Sequence, residues 1–354
     1  RLLAPPGEPS PPGRHRPHPV PPPLALGPVP KGPLQHGWGR SSYRSWTRAG
    51  QGAPALPLDD EGRDTADPET PEDVAQARQD LWGEHGPLED FPRGAAAGDC
   101  LHRILERLDY RQDPGAPDNL ALVEAELGRA GLNHQPLAPL LDGLGRVLET
   151  PCGGALGDFH FGALQLERRI NEMAFDLCLD RVRAADLGAV FRDHPDRSLG
   201  PAYAERLEAL PVDCRGYLTG SIDLVCRAAG STGEERWWVV DWKSNWLGRR
   251  DGEGRPVACG PSHYDQRTMA EVMVCHHYPL QAHLYLVALH RYLLWRWPDY
   301  APQRDLGGYV YVFLRGTPGR QGAQALPGVV PGMVVEQPPP GRVLALHRAL
   351  GGVS

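Results

Sequence analysis

Gly220-Ser221-Ile222-Asp223-Leu224-Val225 and, beginning twenty residues later, Val240-Asp241-Trp242-Lys243-Ser244-Asn245 are the two stretches on which the fold turns. Both are rich in β-branched and aromatic residues and read as neighbouring strands. Side chains alternate faces along a strand, so Asp241 and Lys243 point one way while Val240 and Trp242 point the other. Two adjacent strands of this kind bring Asp223, Asp241 and Lys243 together.

Further strands are expected at 172–179, where Met173, Phe175, Leu177 and Leu179 alternate with Glu172, Ala174, Asp176 and Cys178, and at about 307–314. Helical periodicity precedes and separates them. Thr70-Pro71-Glu72-Asp73 carries a capping Thr, a first-turn Pro and acids, the marks of a helix start. A second helix begins near Gly98 and runs through Leu101, Ile104, Leu105 and Leu108, with His102 on it one turn before Glu106. Two more are expected at 118–130 and 137–149, and a pair at 265–276 and 279–297. Strands and helices in this order predict an α/β domain with a central mixed sheet flanked by helices.

The 354-residue chain has a different character at its start. Thirteen of the first 34 residues are proline, too little apolar surface to offset ordering entropy, so 1–57 is expected to be a disordered Pro-rich linker. Residues 58–90 read as an acidic linker with a first helix, and 91–354 as the folded domain. Residues 1–50 carry seven Lys/Arg against one Glu, and 51–99 thirteen Asp/Glu against three Arg. That contrast suits an interdomain tether or a solvated spacer. The chain opens on Arg1, and Leu2-Leu3-Ala4 is too short for a signal segment, so a fragment of a longer polypeptide is expected, with the cytoplasm as its compartment. A net charge of −7 argues against a protein that coats nucleic acid non-specifically. The seven cysteines contain no C-x-x-C pair, which excludes a zinc ribbon or a disulfide framework. No G-x-x-x-x-G-K-[ST] loop occurs, so ATP hydrolysis is not expected.

The chemistry of the opening pair follows from cost. A carboxylate within a buried strand is unfavourable unless it is paired or metal-bound. Either aspartate alone is equally compatible with capping a turn or pairing with an arginine. Both together, beside Lys243, invite a metal. Magnesium takes few protein oxygens and keeps several waters, and one or two such ions supply a nucleophilic water and a charge clamp for phosphodiester hydrolysis. A lysine ammonium there stabilises phosphate charge.

Asp223 followed by Asp241-Trp242-Lys243 resembles the PD-(D/E)XK nuclease core, and Val240 through Gly248 resembles the C-terminal nuclease domain of RecB, the beta subunit of exodeoxyribonuclease V. Phe91-Pro92-Arg93-Gly94 leading into Leu101-His102, His277-Tyr278-Pro279-Leu280-Gln281, and Gly307 through Gly316 extend the likeness over roughly 90–316. The resemblance implies that His102, Asp223 and Asp241 hold the metal, that Lys243 is catalytic with Asp241, and that Glu172, an acid placed near the site, belongs with the catalytic residues. It also implies a role for the Trp242 carbonyl at the metal. His102 alone would read as a surface or packing residue. Gln281 and Tyr285, one helical turn apart, match a Q-x-x-x-Y motif that contacts DNA in such nucleases. The implied cofactor is Mg²⁺, one or two ions, with Mn²⁺ an option because imidazole is a soft ligand. An iron–sulfur cluster is not expected, because no cysteine follows Cys275. The implied activity is a DNA exonuclease domain of a RecBCD-type helicase-nuclease in double-strand break repair by homologous recombination. RecC-like and RecD-like subunits, DNA ends and RecA are the implied partners. The alternative is a catalytically silent module of the same fold, for DNA binding or subunit docking.

Overall fold

Trp238, Val239, Val240 and Trp242 follow one another so closely that the strand holding them must be covered on both faces. The computed structural model describes residues 38–48, 82–323 and 329–352. In chain order they form β1 (Trp38–Ser41), α1 (Tyr43–Arg48), α2 (Ala95–Arg107), α3 (Pro117–Arg129), α4 (Leu137–Glu149), β2 (Arg169–Arg183), α5 (Ala184–Asp193), α6 (Pro201–Glu208), β3 (Asp213–Ala229) and β4 (Glu235–Lys243). There follow β5 (Arg249–Arg250), β6 (Pro256–Ala258), α7 (Gln266–Cys275), α8 (Tyr278–Arg296), α9 (Pro302–Asp305), β7 (Leu306–Phe313), α10 (Gly319–Ala323), β8 (Met333–Glu336) and α11 (Pro340–Ala349).

Among the described residues six strands make one mixed sheet in the order β1-β3-β4-β7-β8, with β2 paired to β3. Two cores flank it. Leu224, Trp238, Val240, Trp242 and Val310 pack beneath α2, α3 and α4, while Val225, Val239, Tyr309 and Tyr311 pack against α8 and its neighbours. The alternation expected of β4 is therefore present. Helix α8 is buried on nearly every side, as its apolar composition requires. Helix α7 is capped by Asp265, whose Oδ1 accepts from the N–H groups of Arg267 and Thr268 at 2.9 and 3.2 Å. Helix α2 is fixed to α3 through Glu126, a fully buried carboxylate that Arg103, Arg107 and Arg129 surround.

The N-terminal boundary differs from expectation. Trp38–Ser41 and Tyr43–Arg48 fall inside the stretch read as linker, yet β1 pairs in parallel with Arg215–Leu218 of β3 and Trp46 is buried in the core. A four-residue strand carries too little alternation to announce itself. The site is prepared by Gly216, whose φ of 127° disfavours any side chain and where a Cβ would collide with the Gly39 carbonyl. The rest of 1–57, and the helix start at Thr70-Pro71, lie outside the described residues. Strand β2 is longer than the expected 172–179 because β3 supplies pairing partners from Asp213 to Cys226. Strand β8 and helices α5, α6 and α11 had no sequence expectation. Among the described residues no helix is long and apolar enough to cross a membrane.

Candidate metal centre

The sheet forks at the centre. Strands β3 and β4 pair regularly from Ala229↔Glu235 to Leu224↔Val240, and there the ladder stops. One residue further, the Trp242 N–H donates to Asp223 Oδ2 at 2.8 Å, so a side chain replaces the missing backbone partner. On the opposite edge of β3, β2 pairs Asn171↔Leu224 and Met173↔Ile222 but leaves out Glu172, which sits at φ 47°. A left-handed glutamate costs on the order of 1 kcal/mol or more and persists only where its surroundings impose it. Here Ser221 Oγ–H donates to Glu172 Oε2 at 2.8 Å, and the Asn171 amide donates to the Glu106 carbonyl, tying β2 to α2.

Helix α2 brings His102 over the fork. Its Nδ1 lies 3.4 Å from Asp223 Oδ2, and one ligating atom each from His102, Glu172 and Asp223 fall within 4.8 Å of one another. Asp241 is outside that closest group. It lies 3 % exposed with its Oδ2 2.7 Å from Lys243 Nζ, in the same cleft of about 670 Å³ that His102, Glu172 and Asp223 line. The resemblance paired His102, Asp223 and Asp241 as ligands and set Glu172 beside them, whereas the geometry draws Glu172 into the tightest cluster.

Lys243 is held from several sides. Its ammonium lies 4.2 Å from the Tyr278 ring centre and 5.4 Å from that of Tyr311, and it donates to Gln281 Oε1 at 3.3 Å. The same Oε1 accepts from the Tyr311 hydroxyl at 2.9 Å, and Gln281 Nε2 donates to the Tyr285 hydroxyl at 2.9 Å. Gln281 and Tyr285 thus share one face of α8 and line the cleft, Gln281 bonding Lys243 and Tyr311, and Tyr285 bonding Gln281.

The three carboxyls are set apart electrostatically. Burial raises Asp223, but His102, the Trp242 N–H and Lys243 outweigh it and hold the group below the ordinary carboxylate range. Burial pushes Asp241 up to about 7, with Lys243 opposing and Asp223 adding to the rise. Burial also raises Glu172, against the hydrogen bond from Ser221. Carboxyls pushed apart in this way mark a functional cleft. Two carboxylates and an imidazole within ligand distance of one another form a donor set that suits a hard divalent cation, Mg²⁺ or Mn²⁺.

Several residues of the cleft escaped the sequence reading. Ser221 was accessible in principle, since it precedes Asp223 by two on the same strand. Tyr311 comes opposite Asp241 only through the parallel β4–β7 register, and Tyr43 and Arg44 enter the cleft through β1 and α1. Neither placement is written in local periodicity.

A mixed sheet that splays between an acid on one inner strand and an Asp-x-Lys pair on the next, under a helix carrying histidine, is the PD-(D/E)XK nuclease fold. No protein-family model matches the chain. Relatives do: it is 35% identical over 285 residues, 75% of its length, to the RecBCD enzyme subunit RecB of Mycobacterium tuberculosis H37Rv. It is 35% identical over 280 residues to RecB of Mycolicibacterium smegmatis, and 36% identical over 229 residues, 64% of its length, to RecB of Escherichia coli K12. The chain is homologous to RecB and spans a part of it, 24% of the mycobacterial proteins and 17% of the Escherichia coli one.

Proposed function

We propose that this chain carries the Mg²⁺-dependent DNA exonuclease centre of a RecBCD-type helicase-nuclease. The observation that carries the reading is the union in one cleft of His102, Glu172, Asp223, Asp241 and Lys243, with acids of opposite pKa displacement. His102, Glu172 and Asp223, the tightest group, would hold the cation, with Asp241 and the Trp242 carbonyl completing the site beside them. A bound Mg²⁺ polarises a phosphoryl oxygen and makes a water nucleophilic at neutral pH. Lys243, fixed by Tyr278, Tyr311 and Gln281, presents a positive charge to the phosphate and keeps Asp241 in place. Gln281 and Tyr285 form the wall along which DNA passes. In the intact polypeptide the centre acts on strands from DNA ends in double-strand break repair, with RecC-like and RecD-like subunits and RecA as partners.

Labelled linear single- and double-stranded DNA, incubated with the wild type and with Asp241→Asn with and without Mg²⁺, tests the centre. Metal-dependent loss of label from the wild type alone is expected. Equal degradation by both proteins refutes the assignment, and DNA binding without cleavage by the wild type favours the silent module.

A further inference from the structure

Among the described residues, the half-sheet built from β1, β2 and the first part of β3 packs one face on the core and leaves the other open. Leu177, Leu179, Leu218 and Ile222 are buried on that side, and Arg215 and Tyr217 are exposed on the other. Strand β1 adds to the open face. Register pairs Trp38 with Arg215 and Arg40 with Tyr217, and paired residues of adjacent strands share a side. Trp38 is 46% exposed and Tyr217 41%, both unusual for large aromatics. Their rings meet edge to face at 6.0 Å, with the Arg215 guanidinium 5.3 Å from the Trp38 ring centre.

This surface leads into the metal centre. From Tyr217 the strand continues through Thr219 and Ser221 to Asp223, all three lining the cleft. Because β1 runs parallel to β3, its continuation through Ser42, Tyr43 and Arg44 heads the same way and lines the same cleft. Six residues of strand separate Tyr217 from Asp223, about 20 Å. On the β2 side Asp176 stands opposite Thr219, so the cationic lane lies along β1 and β3.

We propose that Trp38, Arg40, Arg215 and Tyr217 form a track for single-stranded nucleic acid that feeds the metal centre. The inference rests on the nuclease reading above for what happens at the end of the track. Exposed aromatic faces interleaved with arginines are what unpaired bases and their phosphates require, and a duplex offers no such base faces. The open face is continuous with the cleft, and its positive charge complements a phosphate backbone.

The test is equilibrium binding of the full chain in EDTA to a 5′-fluorescein oligothymidine of about 20 nucleotides, long enough to cover one such surface. Trp38→Ala combined with Tyr217→Ala is expected to weaken binding about ten-fold, with a duplex of equal length changed less than about two-fold, and Trp38→Phe with Tyr217→Phe to restore most of the loss. Arg40→Glu with Arg215→Glu, which keeps both aromatic side chains, is expected to lower the slope of log affinity against log salt by about 1. Single-strand affinity unchanged in both double variants overturns the track, and so does an equal loss on duplex. Cleavage by the wild type with Mg²⁺ is scored separately: its absence sinks the nuclease reading and leaves the binding result standing on its own.

Discussion

Arg315 is 2% exposed, and its guanidinium is spent on backbone carbonyls. Nε donates to Ser244 O at 3.0 Å, Nη1 to Phe91 O at 2.9 Å and to Leu88 O, and Nη2 to Pro92 O at 2.8 Å. One side chain thus fastens the segment that leads into α2, and so carries His102, to the residue that follows Lys243. Arg315→Met removes four charge-assisted bonds and leaves their carbonyls without that partner in a largely buried site. At roughly 1 kcal/mol net for each bond, the loss is about 4 kcal/mol, in the range found when a buried charged network is broken. For a domain of this size that lowers the melting temperature by about 10 °C. The second consequence is local. With His102 less firmly placed over Asp223, the Mg²⁺ concentration giving half-maximal cleavage rises. Thermal denaturation followed by circular dichroism, and cleavage across a Mg²⁺ titration, read the two effects. Arg315→Lys is expected to recover little, because one ammonium cannot reach carbonyls on both sides of the clamp. A variant that melts within about 2 °C of the wild type, with an unchanged Mg²⁺ midpoint, refutes the clamp.

Gln281→Ala removes the acceptor shared by Lys243 and Tyr311, so the cleavage rate is expected to fall about ten-fold or more while DNA affinity measured without metal changes little. The opposite pattern would show that Gln281 acts through direct contact with the passing DNA rather than through Lys243. His283 is buried with its Nδ1–H donating to Pro279 O at 2.6 Å and its Nε2 3.4 Å from Arg342 Nη1, Arg342 itself pairing with Asp196. Burial, then Arg342, depress its pKa from 6.5 to about 3. The unfolded chain therefore binds the proton first, and stability falls as pH drops from 6.5 towards 3, by about 4 kcal/mol from this ring. Urea denaturation between pH 7 and 4 should show the fall, and His283→Gln should flatten it. Gly216→Val should release β1 without unfolding the sheet, seen as faster hydrogen exchange confined to 38–48 and the facing part of β3. Protection equal to that of the wild type would mean that the glycine pair is not needed for docking.

Legibility in the sequence followed the range of the interactions. Asp223, Asp241 and Lys243 were readable because a strand's period of two assigns faces locally, and Val240 and Trp242 do lie buried beneath α2 to α4. His102 was not readable that way. It stands on a helix 121 residues before Asp223, and only resemblance singled it out. The hold on Lys243 by Tyr278, Tyr311 and Gln281 depends on which strand lies beside β4 and in what register, and no local pattern encodes that. The strand at Trp38–Ser41 was hidden by the prolines before it and by its own brevity.

The fork in the sheet has a cause in the acids themselves. Continuing the regular Leu224↔Val240 register by one step would set Asp223 directly opposite Asp241. Like charges facing each other across a ladder are destabilising, and with Asp241 buried and Asp223 largely so, the repulsion is poorly screened. Three features relieve it: the strands part, Asp223 turns its carboxylate to the Trp242 N–H and to His102, and Asp241 is met by Lys243. Asp241 still remains hard to ionise, raised to about 7 by burial first and by Asp223 in part. What would complete the compensation is a positive charge between the two strands, at the place where their separation leaves a cleft. The separation that relieves the repulsion thus leaves room for the divalent cation proposed above.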